Sequence, residues 1–579
     1  MFRRNQRHQQ PYLISNVNDL PENLHKRLDN SWAGVFYRET FCRLDESPFA
    51  VVYANTPSRP NLPVNVFVAL ESLKADYGWS DEELYDHFSY DLQVRYAVGY
   101  HQLGEGDFDL RSLYHFRERV ARCMQEEGVN LIEKAFEQIT DEQTKAFKLK
   151  TGKQRMDSTQ IASNIREMSR LQLLVEVLQR VHRMLSQEDQ TKYVEAFAAY
   201  ILGHAGQYVY HIKGEDTSEH LQKIGELMQR LLADLRPNYA QDPVYQMLER
   251  VFGEHYRVEE KVTKIKVGKE LSPSSLQSPD DLEATYRKKG NKSYKGYVAN
   301  LTETCDPAND LQLITKVQVD ANHTDDAVLL VEALSNLKER TDLETLYTDG
   351  GYGSPEADKA LQKNQVEQIQ TAIRGRAPSD ENLNLAVFEI KQAASGTPTQ
   401  ITCPQQQTVA IQPSSQKKGF VADFDAVVCQ VCPFNQKGVC PAQAGKRDLR
   451  FHLRFSQQQA NVSQRRRRSL SHQKEGRNLR ASIEATVREV KHPFPASKLP
   501  VRGRFRVTCM VIGSALVSNA RRIRRYLEAE IQKENKQRKA LKGQESSREQ
   551  STVSPYCFFG SRLFPLGDPC FVSTARFGL

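Results

Sequence analysis

Nowhere in this chain do about 18 apolar residues run together, so no segment is a candidate for a membrane-spanning helix. The start, Met1-Phe2-Arg3-Arg4-Asn5-Gln6, leads into polar sequence without the apolar core of a secretory signal. Both absences point to a cytoplasmic protein with no membrane partner. In that setting ten cysteines read poorly as disulfides. A strong excess of one charge is lacking too. The net charge is +8 over 579 residues, so where the charge sits matters more than its total. Much of it falls late, in Lys446 to Arg488 and in Arg502 to Arg525. Such blocks suit a polyanion, because neutralising phosphates with Lys and Arg releases counterions. On charge alone a solvated surface fits as well.

The length exceeds what one compact core holds, and the composition is that of a globular protein, so two to four domains are expected. Residues 1–145 read as a helical N-terminal domain that binds DNA or dimerises, or is plain scaffolding. Ser80-Asp81-Glu82-Glu83 is a capping box, and Leu84, Phe88 and Leu92 follow on one face. Val64 to Leu73 and the stretch with Leu113, Phe116 and Val120 read as further helices. Residues 146–159 turn strand-like and end at Asp157. Residues 160–275 read as a helical insertion, with seams at Leu171, Leu174, Leu178, Val181 and Leu185, then at Leu221, Ile224, Met228, Leu231 and Leu235.

In residues 276–375 strands and helices alternate. Tyr294 to Thr304 and Leu313 to Val319 form a hairpin, and Asp325 to Lys338 a helix. Leu343 to Thr348 is a strand closed by Asp349 and a glycine turn. Pro355 to Lys363 is a helix and Gln368 to Ile373 a strand. The fold class is therefore α/β, a mixed sheet with helices against it. A polar residue at a strand's carboxyl end beside a glycine turn is where such sheets place ligands. Residues 376–460 break the pattern and form a Cys-rich insertion. Residues 461–526 return to helix, with Pro493 ending the stretch 477–492. Residues 527–579 read as a polar, irregular tail.

Phosphoryl transfer with two Mg²⁺ ions needs several carboxylates brought together on rigid elements. Asp157 and Asp349 stand at expected strand ends, where a turn or cap is the ordinary role. Arg480, Glu484, Arg488 and Lys491 fall along one helical stripe, one acid among bases, with Ile483, Val487 and Val490 beside it. That pattern fits an active-site helix and a surface helix with ion pairs equally. Cys429-Gln430-Val431-Cys432 is a Cys-x2-Cys knuckle, with Cys440 after it and Cys403 before it. A second such pair is lacking. Four thiolates are a candidate structural Zn²⁺ site, with free thiols as the alternative. The run Arg465-Arg466-Arg467-Arg468 reads as a contact to phosphate backbone or as a solvated loop.

Arg480-x3-Glu484-x6-Lys491 resembles the Tyr-x2-Arg-x3-Glu-x6-Lys signature of bacterial insertion-sequence transposases of the DDE type, with Arg477 at the Tyr position. Met156-Asp157-Ser158-Thr159 and Tyr347-Thr348-Asp349-Gly350-Gly351-Tyr352 resemble the family's first two acidic motifs. Tyr294-Lys295-Gly296-Tyr297 and Asn322-His323-Thr324-Asp325-Asp326 resemble the segments between them. Arg59-Pro60-Asn61-Leu62-Pro63-Val64, Ser80 to Leu84 and Asp109 to Arg117 resemble its helical N-terminal domain. The resemblance spans roughly residues 30–525. It implies a ribonuclease-H-like core in which Asp157, Asp349 and Glu484 hold two Mg²⁺ ions, with Mn²⁺ as a substitute. The ions would activate water and then a 3′-hydroxyl, for cleavage at element ends and strand transfer. It implies that Arg480 and Lys491, and less directly Arg488 and Arg477, contact double-stranded DNA. It also implies a homodimer or larger assembly on two element ends.

Overall fold

The computed structural model describes residues 1–551 apart from 11, 13, 55, 57–59, 372, 374–377, 380, 394–395, 415–418, 446–448, 475–477, 493 and 496–497. Arg59, Lys446, Arg477, Pro493, Cys557 and Cys570 therefore lie outside the described residues, as does the tail from 552. Residues Met1–Arg524 make one compact unit. In the second unit, the described residues 525–551 are helical.

The N-terminal region is helical. Its larger elements are α1 (Val64–Tyr77), α2 (Asp81–Tyr90), α3 (Leu110–Glu127) and α4 (Leu131–Ala146). The capping box at α2 is formed: the Ser80 side chain accepts from the Glu83 N–H, and the Glu83 carboxylate accepts from the Ser80 N–H. Leu113, Phe116 and Val120 bury one face of α3. Strand β1 (Lys153–Ile161) follows. Then comes a helical section built on α5 (Arg170–Met184), α6 (Thr217–Tyr239) and α7 (Pro243–His255), whose Leu seams form a core of their own.

The main sheet completes itself with β2 (Thr285–Lys289), β3 (Lys292–Thr304), β4 (Ile314–Ala321), β5 (Thr345–Asp349) and β6 (Glu367–Thr371). Its order is β2-β3-β1-β5-β6, with β4 also on β3. β1 runs antiparallel to β3 and parallel to β5, and β5 runs parallel to β6. Helices α8 (Asp326–Arg340) and α9 (Pro355–Lys363) cover one face, where Met156 and Leu346 join Leu330, Leu334 and Leu337. On the other face Ile161, Ala299, Leu301 and Val317 share a core with the N-terminal helices. Alternation along β1 sends Met156 to the first face and Asp157 to the second.

Residues 389–455, expected only to break the pattern, form a second sheet. Its members include β7 (Glu389–Gln392), β8 (Pro398–Thr402), β9 (Thr408–Pro413), β10 (Phe420–Asp425) and β11 (Arg450–Phe455), antiparallel throughout. Helix α10 (Gln457–Lys474) leads back to the main sheet. It is followed by α11 (Ile483–Lys491) and α12 (Arg504–Ser551). Val507, Val511, Ile512 and Leu516 of α12 join the core of the N-terminal helices.

Two expectations need correction. Asp157 does not end its strand. β1 continues to Ile161 because its pairing with β3 runs on to Tyr297, while its pairing with β5 stops at Arg155. Arg480 is not on the helix of Glu484, because α11 begins only at Ile483 and residues 479–482 are turns.

Candidate active site

The register of β1 against β5 pairs Arg155 with Tyr347. Two residues beyond this last paired position, on the same alternation of each strand, come Asp157 and Asp349, near enough for the Asp349 charge to act on Asp157. Each is anchored by its own backbone turn. Asp157 Oδ1 accepts from the Ser158 N–H at 3.0 Å, and Asp349 Oδ1 accepts from the Gly351 N–H at 2.8 Å. Asp157 is mostly buried. Burial raises its pKa above the usual carboxylate value, Arg480 pulls it down, and the Asp349 charge pushes it up again.

A third carboxylate arrives from Asp326, noted in the sequence only as part of the segment 322–326 and not as a site residue. Asp326 opens α8, where a helix N-terminus favours negative charge. Its Oδ1 accepts from the Ser158 hydroxyl at 2.7 Å. At Gly351 any Cβ would stand 2.7 Å from Asp326 Oδ2 and 3.0 Å from Asp349 Oδ1, so only glycine leaves room for both. Tyr352 lies fully buried behind the group. Burial and the charges of Asp326, Asp157 and Asp349 raise its pKa, so it stays a neutral phenol that donates to Asn300 Oδ1 at 2.7 Å. The signal for Asp326 was its place in the Asp325-Asp326 pair. Only the approach of α8 to β1 separates it from an ordinary helix-start acid.

Glu484 sits in the first turn of α11 with its side chain 70% exposed. Arg480 joins it to the strand acids. Nη2 lies 3.0 Å from Asp157 Oδ2, and Nη1 lies 3.8 Å from Glu484 Oε1. The Arg480 Nε is buried without a hydrogen-bond partner. Among the described residues, no three His, Cys, Asp or Glu side chains close on one point as metal ligands. A guanidinium occupies the place between Asp157 and Glu484.

The α11 helix is fixed by a buried ion network. Glu303 of β3 is wholly buried. It accepts from Arg155 Nε at 2.5 Å on one oxygen, and from Thr486 Oγ1 at 2.7 Å and Arg522 Nη1 at 2.6 Å on the other. Burial alone would raise the Glu303 pKa, but Arg522 and Arg155 hold it below the usual value. Arg522 also reaches Glu489 at 3.3 Å, and Arg155 Nη1 donates to the Leu479 carbonyl at 2.8 Å. The last contact sets the turn that carries Arg480.

Basic groups follow on the same helix. Lys491 is half-buried, and burial and then the nearby Lys289 charge lower its pKa. Lys289 ends β2 in an exposed Lys289–Lys292 turn that sequence reasoning passed over. Arg488 is exposed. The Arg465–Arg468 run is largely engaged within the protein: Arg465 pairs with Asp358, Arg467 with Glu389 and Arg468 with Glu367. Likewise Arg521 pairs with Asp76, and Arg522 is buried in the Glu303 network. Arg465 and Arg522 are buried in their pairs, whereas Arg467 and Arg468 stay about half exposed.

The mixed α/β fold brings Asp157 of β1, Asp349 of β5 and Asp326 of α8 around Tyr352, with Arg480 linking Asp157 to Glu484 at the start of α11. Residues 402–524 match the sequence model of the transposase DDE domain family, and the match supports a DDE-type transposase. The matched stretch contains Cys403 to Cys440, Arg480, Glu484 and Lys491, and stops short of Asp157 and Asp349. No curated protein and no solved structure matches the chain. Among the described residues, no helix is long and apolar enough to cross a membrane.

Proposed function

We propose that the protein is a DNA transposase that cleaves element ends and joins them to target DNA, using Asp157, Asp349 and Glu484 as its metal-binding acids. The observation that carries this reading is the Arg480 bridge. It links Glu484 to Asp157, on which the charge of Asp349 also acts, and so favours grouping the three acids. The sheet order, with β4-β3-β1 antiparallel and β1-β5-β6 parallel, supports a ribonuclease-H-like core with those acids at one end.

The donor set fits Mg²⁺, a hard ion that prefers carboxylate oxygens. Asp157 is buried at a raised pKa beside another acid, a state that a cation would relieve. When bound, two such ions supply charge neutralisation and an activated oxygen nucleophile. The chain's own residues do the rest. Asp157 and Asp349 present fixed oxygens from rigid strands, each held by a backbone N–H. Glu484 is exposed and free to turn inward from the start of α11. Arg480 then exchanges a carboxylate for a DNA phosphate, a strong charge-assisted contact for a guanidinium. Lys491 with nearby Lys289, and the exposed Arg488 on the same helix as Lys491, offer positive charge for double-stranded DNA. Acting on two ends calls for a homodimer or larger assembly.

The experiment is cleavage of labelled DNA carrying the element's own end, with Mg²⁺ or Mn²⁺. Parent protein should cut at the end boundary. Asp157→Asn, Asp349→Asn and Glu484→Gln should each abolish cutting while still binding the DNA. Cutting that persists in any one variant removes that residue from the site. Tight binding with no cutting by the parent overturns the enzyme reading.

A further inference from the structure

The second sheet has a modest core of nine buried residues, and four thiols gather at its edge. They come from three loops. Cys403 begins the β8–β9 turn, where the Cys403 N–H donates to the Gln407 carbonyl and the Gln406 N–H to the Cys403 carbonyl, each at 2.9 Å. Cys429 and Cys432 flank a tight turn closed by the Cys432 N–H on the Cys429 carbonyl. The Cys432 carbonyl in turn accepts from the N–H groups of Asn435 and Gln436, both at 3.0 Å. Cys440 follows from the next loop. All four line one small cavity of about 20 Å³, together with Leu383, Phe388, Phe424, Phe434 and Phe451.

We propose that Cys403, Cys429, Cys432 and Cys440 form a tetrathiolate site for a structural zinc ion. The cavity has room for a particle the size of a water, and the thiols share its walls mainly with apolar side chains, Gln405 and Asn435 being the polar exceptions. Soft sulfur ligands in a set of four select zinc, which takes them tetrahedrally. As they stand, no three of the four sulfurs close on one point, so binding an ion at about 2.3 Å would have to draw the loops together. The three loops would then be tied at one end of a sheet that has little core to do so. That sheet feeds directly into α10, which packs on β6 and on residues 385–387. The ion would therefore brace the path that leads to Arg480 and Glu484.

The test is the zinc content of the full chain purified under reducing conditions, read by mass spectrometry of the metal. One zinc per chain is expected. Cys432→Ser and Cys440→Ser should lose it, and Cys305→Ser, whose buried thiol lies away from the cluster, should keep it. A serine variant that fails to fold would also lose metal, so the parent protein carries the second measurement. Exchange of the ion for Co²⁺ should give the intense visible bands and near-ultraviolet sulfur-to-cobalt charge transfer of a tetrahedral tetrathiolate. A parent protein without zinc, a weak octahedral cobalt spectrum, or Cys429 and Cys432 recovered as a disulfide would overturn the proposal. None of these readouts uses DNA or the carboxylates, so failure here leaves the transposase reading standing, and the reverse.

Discussion

Arg480 donates from Nη2 to Asp157 Oδ2 at 3.0 Å, across 323 residues of chain. The same guanidinium stands 3.8 Å from Glu484. A cation thus already sits where the acids of β1 and α11 meet, and it is a side chain rather than an ion.

Arg480→Ala should uncouple two properties. Thermal stability should change little, since the Glu303 network anchors α11 independently. The Asp157 pKa should rise further, because Arg480 is the group that lowers it against burial and the Asp349 charge. Mg²⁺ affinity should then require a higher pH than in the parent, measured by calorimetric titration across pH. An unchanged pH dependence would contradict the bridge.

Asp157 also sets a sign for stability. Its folded-state pKa lies above the ordinary value, so the ionised form costs stability in metal-free protein. That cost is fully present above the raised pKa and fades as pH falls through it. Metal-free Asp157→Asn should therefore melt at or above the parent temperature at neutral pH, while losing the stabilisation that Mg²⁺ gives the parent. Differential scanning calorimetry with and without Mg²⁺ reads both. A lower melting temperature for the metal-free variant would refute the assignment.

Asp326→Asn should impair cleavage about 10–100-fold while leaving the fold intact, the range typical of groups that orient metal ligands. Asp326 holds the Ser158 hydroxyl and approaches Asp349 over Gly351. Gly351→Ala should be at least as damaging, since its Cβ has no room. Cleavage rates at saturating Mg²⁺ check both, and parent-like rates in Asp326→Asn would remove this acid from the site.

How much of this was legible in the sequence depends on the range of the forces involved. Local signals carried well. The Ser80–Glu83 box, the α3 face and the strand closed by Asp349 depend on neighbours within a few residues. Asp157 and Asp349 were singled out, but their adjacency rests on strand pairing across nearly two hundred residues, which no local pattern encodes. The β7–β11 sheet was missed because its strands are short, polar and broken by Gln, Pro and Ser. The internal partners of Arg465, Arg467, Arg468 and Arg522 were not legible, because a charge run shows no partners. Their partners Asp358, Glu389, Glu367 and Glu303 come from remote segments.

Glu303→Gln should be the most destabilising of the conservative changes. It leaves Arg155 and Arg522 buried without their common counter-charge, a loss of about 3–5 kcal/mol. Because the Glu303 pKa is depressed in the folded state, its contribution is present above the ordinary glutamate value and is lost as pH falls through the folded one. Urea denaturation at pH 7 and at pH 4 should show the variant's deficit shrinking at the lower pH. A deficit that stays constant would argue against the network.

Lys289→Ala should relieve the charge that lowers the Lys491 pKa. If both lysines contact phosphate, each alanine variant should weaken DNA binding evenly across sequences. Each should also reduce the slope of log affinity against log salt by about one. An unaltered salt slope in both would place the DNA elsewhere.

Asp157, Asp349 and Glu484, from three distant segments, are proposed to hold the same ions. The most direct test replaces Mg²⁺ with Fe²⁺ in the full-length protein and uses the iron to generate hydroxyl radicals that cut the nearby backbone. The account predicts cuts clustered around residues 157, 349 and 484, all lost in Asp157→Asn and suppressed by excess Mg²⁺. Cuts near 157 and 349 without any near 484, or cuts that survive in Asp157→Asn, would contradict it.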